Sequence, residues 1–469
     1  MTTPLPRRYD PRTFKALTFH DAVTRFRDGS DSPRVYLERC LDTIAAREPV
    51  VKAFVVLNES NARAAADASS ARWKAGAPLS AIDGMPIAIK DLLETRDMPT
   101  QMGCEAYRGN VTHRDNAAVW ALREAGAVII GKTVTAELGG TQPGPTTNPF
   151  DPACTPGGSS SGSAAAIAAH MAPAALGTQV GGSIIRPAAY CGNFALKPTQ
   201  GAINRGERQT TSMSTTGVHA GCIEDMWQVA IEIARRAGGD PGKPGLFGPA
   251  TPPEAAKPQR LIVLESAGWA KTDAATRAAF EALLENLARA GITLLRRKDH
   301  AWIEALEHSI HNAAHIANTI TAWENRWYQA ALIERHPQGV SARLKATVKK
   351  AEAMTPEDYR ALLLQRAAAQ QCHQTLAPLA DAIIMLSCPG PAPLWPGDVS
   401  GQPLAPRPTG DSVFNTPSSM LHAPCVTLPL LGVGGMPVGV QLMGQQHEDA
   451  RVTGLARWVI GAVTPVVAP

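Results

Sequence analysis

Residues 156–183 read PGGSSSGSAAAIAAHMAPAALGTQVGGS, and this stretch decides the fold. After Pro156 it opens on glycine and serine alone, a composition that usually forms a flexible linker. Here the glycine and serine run directly into an Ala-rich apolar segment, which a linker does not do. We therefore predict a loop over residues 143–162, a helix over residues 163–170 and a buried apolar segment over residues 174–187.

The end of the stretch, Gly181-Gly182-Ser183, favours a serine nucleophile. Two glycines let the backbone approach a substrate carbonyl closely. The N–H groups of Val180, Gly181, Gly182 and Ser183 could then form an oxyanion hole. One such donor stabilises a transition state by ~3–4 kcal/mol, so this segment suits acyl transfer to Ser183.

The base for such a serine has to come from elsewhere, because a serine hydroxyl is a weak nucleophile until its proton is removed. The only histidine in the stretch is His170, on the Ala-rich helix. Lys90 follows the apolar run Ile87-Ala88-Ile89, which predicts a short strand with Lys90 at its buried end. A lysine needs burial or a nearby cation to lower its pKa. Taken alone, Lys90 is more typical of an ordinary surface lysine.

Residues 126–133, GAVIIGKT, fit the spacing of a phosphate-binding loop. Such a loop needs a strand before its first glycine and free backbone N–H groups that curl around phosphate. Here the four residues between the glycines are themselves the predicted strand, and the helical residues 117–125 precede them. The pattern therefore favours a strand over a nucleotide site.

Gly158-Ser159-Ser160-Ser161-Gly162 fits a second motif, the G-x-S-x-G nucleophile elbow. That elbow lies on a sharp turn from a strand into a helix. Residues 146–156 contain three prolines and no apolar run, so the strand is missing. We do not expect an α/β-hydrolase with Ser160 as its nucleophile.

Taken together, these residues resemble the amidase-signature family, over about residues 35–460. The likeness is specific in the middle third and weak across residues 250–375. It is carried by residues 156–166, by Gly181-Gly182-Ser183, and by four further segments. These are GMPIAIKD at residues 84–91, PAAYCG at residues 187–192, LKPT at residues 196–199 and GMPVGVQL at residues 435–442.

The resemblance implies an α/β fold: one domain, residues 1–469, with a mixed twisted sheet covered by helices on both faces. The signature core would span about residues 80–210. The apolar pattern itself is almost wholly helical over about residues 300–380, and we expect the helical section over about residues 250–375 to shape the substrate pocket. The resemblance also implies Ser183 as nucleophile, Lys90 as base, Ser159 as the bridge between them in a cis peptide bond, and Ser160 in support. It implies no metal and no cofactor.

Two departures from the family pattern matter. Many members have Asp-Thr before the Gly-Gly-Ser, where this chain has Gln179-Val180. Many have arginine two residues after the nucleophile, where this chain has Ile185 followed by Arg186. This arrangement resembles malonamidase-type members, in which the arginine binds a substrate carboxylate. The alternative is that Arg186 pairs with an internal acid or carbonyl and supports the loop.

The charge, the apolar segments and the cysteines of the whole chain limit the partners and the compartment that we expect. A net charge of +4 gives no electrostatic footprint for nucleic acid. The most apolar segment, residues 163–176, is too short and too broken to span a bilayer. The basic N-terminus that includes Arg7 leads into no apolar run of signal-peptide type. None of the eight cysteines forms a C-x-x-C pair, which favours reduced thiols in the cytoplasm. We expect a small-molecule amide substrate and allow for a homodimer.

Two further regions are candidates for binding. His308, His311 and His315 have the spacing of one helical face, where imidazoles can share a metal ion, yet no carboxylate completes a motif and a solvated face is favoured. Residues 389–408 form a long Pro- and Gly-rich loop, which is usually functional or mobile.

Three functions remain open. The leading hypothesis is an amidohydrolase acting on a small amide, carbamate or hydrazide. The second is an amidotransferase subunit that passes ammonia to a partner, which the two departures weigh against. The third is a nucleotide-binding protein that uses residues 126–133.

Overall fold

A single twelve-stranded sheet runs through the computed structural model, which describes residues 8–207 and 211–469. In chain order its strands are β1 Phe54–Leu57, β2 Pro86–Lys90, β3 Val128–Thr133, β4 Ala174–Gln179, β5 Phe194–Lys197, β6 Thr215–Ala220, β7 Arg260–Val263, β8 Thr293–Leu295, β9 Ala382–Leu386, β10 Cys425–Val433, β11 Met436–Met443 and β12 Val466–Ala468.

Fourteen α-helices pack around this sheet in the part of the chain that the structure describes. They are α1 Val23–Asp28, α2 Pro33–Val51, α3 Glu59–Lys74, α4 Ala117–Glu124, α5 Ser161–Ala168, α6 Ile185–Tyr190, α7 Ile223–Ala237, α8 Ala274–Arg289, α9 Ala301–Ser309, α10 Ala313–Arg335, α11 Ala342–Glu352, α12 Pro356–Thr375, α13 Thr416–Met420 and α14 Asp449–Ala462.

The sheet mixes parallel and antiparallel neighbours. Its order is β1-β3-β2-β4-β6-β5-β10-β11-β9-β7-β8, with β12 beside β10. Strand β2 lies between β3 and β4 and is parallel to both. From β4 to β9 every neighbouring pair along the order is antiparallel, and β7 is again parallel to β9 and β8.

Helices cover both faces of the sheet, as the alternation of side chains on the central strands shows. Ala88, Val128 and Ile130 belong to a buried cluster with residues of α2, α3 and α5. Their neighbours Ile87, Ile89 and Ile129 belong to the main cluster, with residues of α4 and α7. Successive side chains of a strand point to opposite faces. The predicted class, an α/β fold with a mixed sheet between helices, is confirmed.

The direction of β2 and β4 places the functional residues together. Parallel strands end at the same edge of a sheet. Lys90 is the last residue of β2, and Gln179 is the last residue of β4, immediately before the loop that leads to Ser183. The chain therefore brings Lys90 and the Gly181-Gly182-Ser183 loop to one edge.

Several boundaries differ from the predicted ones. The helix predicted over residues 163–170 is α5, which begins two residues earlier, directly after Ser160. The apolar segment over residues 174–187 comprises strand β4, a loop and the start of α6. That short helix was missed, because its six residues include a proline and carry no apolar periodicity.

Two predictions involve residues outside the described ranges. The basic N-terminal stretch includes Arg7, and the proposed signature core ends at about residue 210; residues 1–7 and 208–210 are not described. In the remainder, every helix is too short or too polar to cross a lipid bilayer.

Candidate active site

Lys90 lies at the centre of the site, and its side chain is fully buried. Its Nζ is 2.7 Å from Ser159 Oγ and 2.9 Å from Ser160 Oγ. It is also 2.9 Å from Thr178 Oγ1 and 3.2 Å from the Thr178 carbonyl oxygen, on β4. Four oxygen atoms therefore fix the position of the amine.

The surroundings favour a neutral amine. Burial, and to a lesser degree the positive charge of Arg186, hold the pKa of Lys90 well below its usual value. A neutral amine keeps a lone pair, and Ser159 Oγ is the closest hydroxyl that can donate a proton to it. Lys90 thus meets the requirement for a base.

The Ser159–Ser160 turn reaches Lys90 from the loop before α5. The Gly158–Ser159 peptide bond is cis, as the resemblance implied. Ser160 Oγ accepts the N–H of Thr178 at 3.3 Å, and the backbone N–H of Ser160 donates to the carbonyl of Ser183 at 3.3 Å. Ser160 thereby connects Lys90, β4 and the Ser183 loop, which fits its predicted supporting role.

Ser183 follows β4 by four residues and is nearly buried. In residues 8–207 and 211–469, its hydroxyl forms no hydrogen bond, so the structure shows the Lys90–Ser159 half of the predicted relay and not the Ser159–Ser183 half. Catalytic hydrogen bonds are often long before a substrate binds. The bridging role of Ser159 stays a prediction.

The two glycines before Ser183 have different surroundings. A side chain on Gly182 would come within 2.6 Å of Asn415 Oδ1 and 2.9 Å of Arg186 Nη1. One on Gly181 would meet nothing closer than 3.7 Å; its neighbours would be Thr416 and Asn318. Gly182 is therefore required by space, whereas Gly181 faces a more open region towards α10.

Arg186 is buried on α6 and binds backbone carbonyls. Its Nε donates to Thr409 O at 2.8 Å, and its Nη2 donates to Gly158 O at 2.6 Å. The Nη2 atom also reaches Thr409 Oγ1 at 3.1 Å. These contacts favour the supporting role that the sequence left open. Carboxylate binding by Arg186, and with it the malonamidase-type likeness, stays a prediction.

His219 is a buried neighbour of the site that the sequence did not reveal. It lies on β6, opposite Ala175 of β4. A side chain at Gly177 would be 2.8 Å from His219 Nε2 and 2.9 Å from Ser160 Oγ, so the imidazole lies against the Ser160–Lys90 cluster. Burial, then Lys90, lowers the pKa of His219 to about 3, which keeps the ring neutral. Only the register of β6 on β4 places it here.

Lys132, the lysine of the phosphate-loop pattern, is part of the core. It is fully buried on β3, where its Nζ lies 2.9 Å from Asp91 Oδ1 and 2.8 Å from Thr100 Oγ1. The backbone of β3 pairs with β1 and β2. Residues 126–133 therefore form a structural strand, as the sequence favoured.

The shared helical face predicted for the three histidines is wrong. His308 lies on α9 and His315 on α10, and His311 lies in the turn between them. At the break between the two helices, the N–H groups of His311 and Ala313 bond to the carbonyls three residues back instead of four. All three histidines are exposed. Within the described ranges, no group of three His, Cys, Asp or Glu residues is placed to hold a metal ion.

The helical section reaches the site from the side of Gly181. Asn318 of α10 is exposed and lies beside Gly181. Arg343 of α11 binds Asp398 and the carbonyl of Ala405, in the long loop, and donates to Gln142 Oε1 at 3.1 Å. The section predicted to be helical over about residues 250–375 also contains strands β7 and β8, so the prediction is wrong for its first part. From residue 301 to residue 375 it consists of helices α9–α12 and short turns, and these helices contact both the glycine loop and the long loop.

A serine at the end of a glycine loop, close to two serines that contact a buried lysine of lowered pKa, fits the hydrolases that pair a serine nucleophile with a lysine base. Comparison with known proteins agrees. The sequence profile of the family described as Amidase matches residues 36–453. The chain therefore belongs to the amidase family, the amidase-signature hydrolases of carbon–nitrogen bonds.

Individual relatives are more distant. A glutamyl-tRNA(Gln) amidotransferase subunit from Acidothermus cellulolyticus is 46% identical over 171 residues, which is 35% of this chain and 34% of that protein. The corresponding protein of Chloroflexus aggregans is 30% identical over 92% of this chain and 94% of its own length. Among solved structures, an amidase with 25% identity superposes with a TM-score of 0.82, over 95% of this chain and 100% of its own.

Proposed function

We propose that this protein is an amidohydrolase that cleaves the C–N bond of a small amide, carbamate or hydrazide through an acyl-enzyme on Ser183. The observation that carries the proposal is the 2.7 Å contact between Lys90 Nζ and Ser159 Oγ at the edge where Ser183 lies. An amine whose pKa is lowered by burial and that contacts a hydroxyl can act as a base towards that hydroxyl.

In the proposed mechanism, Lys90 takes the proton of Ser159 while Ser159 takes that of Ser183. Ser183 Oγ attacks the substrate carbonyl carbon, and the N–H groups of residues 180–183 stabilise the oxyanion. The protonated Lys90 returns the proton through Ser159 to the leaving nitrogen as the C–N bond breaks. Water, activated by the same pair, then hydrolyses the ester on Ser183 and releases the acid.

The test is a turnover screen on aliphatic amides, aryl amides, carbamates and hydrazides, with ammonia and amine detection, joined to labelling by a fluorophosphonate. We expect turnover of one class and a single label on Ser183. Ser183→Ala should abolish both while thermal unfolding stays unchanged. A label on Ser160 in an otherwise active protein would overturn the assignment of the nucleophile.

The proposal also includes the cellular compartment, the cofactor requirement and the partners of the protein. All eight cysteines are free thiols, which fits a reducing compartment such as the cytoplasm. The mechanism needs no metal and no cofactor, so prolonged treatment with a chelator should leave turnover unchanged. We propose a small-molecule amide as the ligand, with neither nucleic acid nor membrane as partner, and a homodimer as the assembly to test first.

A second candidate function is favoured by one observation, the match to amidotransferase subunits over 92% of the chain. In that case the ammonia released at Ser183 would pass to an acceptor on a partner protein. Co-purification with a second polypeptide, or transfer of ammonia to an acceptor in preference to its release, would support this function over free hydrolysis.

A further inference from the structure

Two side chains, Gln179 and Ser419, form hydrogen bonds to the backbone of the loop between β4 and α6. Gln179 Oε1 accepts the backbone N–H of Ile184 at 2.8 Å and of Ile185 at 3.0 Å. Its Nε2 donates to Ser419 Oγ at 3.1 Å, and Ser419 Oγ donates to the carbonyl of Gly181 at 3.1 Å. Both side chains are almost completely buried.

The bond to Gly181 O determines where a neighbouring N–H points. In a planar trans peptide the C=O and N–H groups point in opposite directions. The carbonyl of Gly181 and the N–H of Gly182 belong to one peptide, so Ser419 turns the Gly182 N–H away from α13. The next peptide is held likewise, because the Arg186 N–H donates to Gly182 O at 2.9 Å.

In the described part of the chain, no acceptor takes the N–H of Gly181, Gly182 or Ser183. The N–H groups of Ile184 and Ile185, by contrast, are both taken by Gln179. The N–H groups of residues 181–183 therefore remain for a substrate, whereas those of Ile184 and Ile185 stabilise the loop.

The amide of Gln179 also determines the direction of the Ser419 hydroxyl. Because Nε2 donates to Ser419 Oγ, the hydroxyl proton is left for Gly181 O. A carboxylate in place of the amide would accept the hydroxyl proton and release Gly181 O. The polarity of this chain of bonds thus depends on glutamine at position 179.

We propose that Gln179 and Ser419 are positioning residues that set the oxyanion hole, with Ser419 orienting the Gly182 N–H. This inference rests on the proposed function, since it assigns the oxyanion donors of the same site. The inference goes beyond the proposed function because it names two side chains on which the geometry of the donors depends. One of them, Ser419 on α13, is more than 230 residues away in the chain from the carbonyl that it binds.

The test compares Ser419→Ala with Ser418→Ala. Ser418 is the matched control: it is equally buried on α13, and its hydroxyl donates to the carbonyl of Asn415 at 2.9 Å and not to the carbonyl of Gly181. Loss of an oxyanion donor lowers kcat by about 10²–10³, so misorientation of one donor should lower it by about 10- to 100-fold. We expect that loss for Ser419→Ala with KM unchanged, and a loss below about 2-fold for Ser418→Ala.

Gln179→Glu gives a second, isosteric test if Ser419→Ala does not fold. Measured at the high-pH plateau, it should lose kcat to a similar extent. Where Ser419→Ala does fold, the variant that combines Gln179→Glu with Ser419→Ala should be no more than about 2-fold slower than Gln179→Glu alone, since both changes release the same carbonyl.

Fluorophosphonate labelling separates the two proposals. Failure of wild-type protein to label at Ser183 would remove the proposed function. Normal wild-type labelling with equal kcat in Ser419→Ala and Ser418→Ala would overturn only the inference. Parallel losses of kcat and thermal stability in both serine variants would overturn it as well, since they would indicate a general packing role.

Discussion

Polar side chains are buried at the edge formed by β2 and β4. In the helical section, in the helices of residues 301–375, most of them are exposed or only partly buried. At the edge, Lys90, Ser159 and Ser160 are at most 1% exposed, and they bond to one another. On α10, polar side chains such as Asn318 are exposed, and Glu324 binds Ser212 and Tyr359 near the surface. Buried hydrogen-bonded groups tune a pKa, whereas exposed groups can contact varied ligands. We infer that the edge carries the chemistry and the helical section carries selectivity.

The largest effect should come from the edge. Lys90→Ala should lower kcat/KM by about 10²–10⁴, the usual contribution of general base catalysis. Because burial lowers the pKa of Lys90, wild-type activity should be present above that pKa and fall as the pH drops through it. A pH profile of kcat/KM checks this. A variant that kept the wild-type rate and acid limb would assign the base to another group.

Arg186→Leu should have the next largest effect, also at the edge. Each hydrogen bond from a charged donor contributes about 1.5–3 kcal/mol, and its loss corresponds to about 10- to 150-fold in rate. The positive charge of Arg186 lowers the pKa of Lys90, so its removal should raise that pKa and move the acid limb to higher pH.

A comparison of the turnover of two substrate types by Arg186→Leu tests the role of Arg186. We expect neutral amides and carboxylate-bearing amides to lose turnover equally, because the guanidinium is bound to Gly158 and Thr409. A loss confined to the carboxylate-bearing amides would show that Arg186 binds substrate.

A substitution in the helical section should have a smaller effect, and it should change KM and not kcat. Arg343→Met removes the ties from α11 to Asp398 and Ala405 and should loosen the long loop. We expect KM to rise by about 2- to 10-fold with kcat nearly unchanged, as for lost uniform binding. Arg335→Met is the control, since Arg335 is exposed and, among the described residues, its side chain bonds only to the carbonyl of Ala331 within α10. A drop in kcat at constant KM would contradict the division between edge and helical section.

The smallest effect should come from Trp327, which is 80% exposed on α10. Exposed substitutions change stability by about 0.5 kcal/mol or less, so Trp327→Ala should leave the melting temperature and kcat unchanged. Trp323→Ala is the contrasting variant, because Trp323 stacks on Tyr359 at 5.6 Å and carries the Arg326 guanidinium over its ring. Loss of activity in Trp327→Ala would identify that indole as part of a binding surface.

The sequence predicted the edge better than its surroundings, for a physical reason. Lys90 ends an apolar run and Ser183 ends a glycine loop, and both signals are local, whereas the assignment of Lys90 as the base came from the family resemblance. His219 and Ser419 reach the site only through strand register and the packing of α13, which no local pattern records. Thr178 shows the same limit: its contact with Lys90 depends on how β2 and β4 lie side by side.

The helical section illustrates the opposite limit. Its helices were predicted from apolar periodicity, yet the break between α9 and α10 was missed, and with it the separation of His308 from His315. A turn without glycine or proline leaves the periodicity on both sides almost intact. Periodicity therefore identifies helices more securely than it identifies where one ends and the next begins.

The unequal surroundings of Gly181 and Gly182 have a consequence for anyone who wishes to redesign this protein. At position 182 a methyl group would collide with Asn415, so saturation mutagenesis there would yield mostly inactive clones. At position 181 the nearest atoms are 3.7–3.9 Å away, and alanine fits in ordinary van der Waals contact. A library that varies Gly181 together with Asn318, its neighbour on α10, would alter the space beside the glycine loop, where the proposed function expects the substrate, while Ser183 and Lys90 stay unchanged.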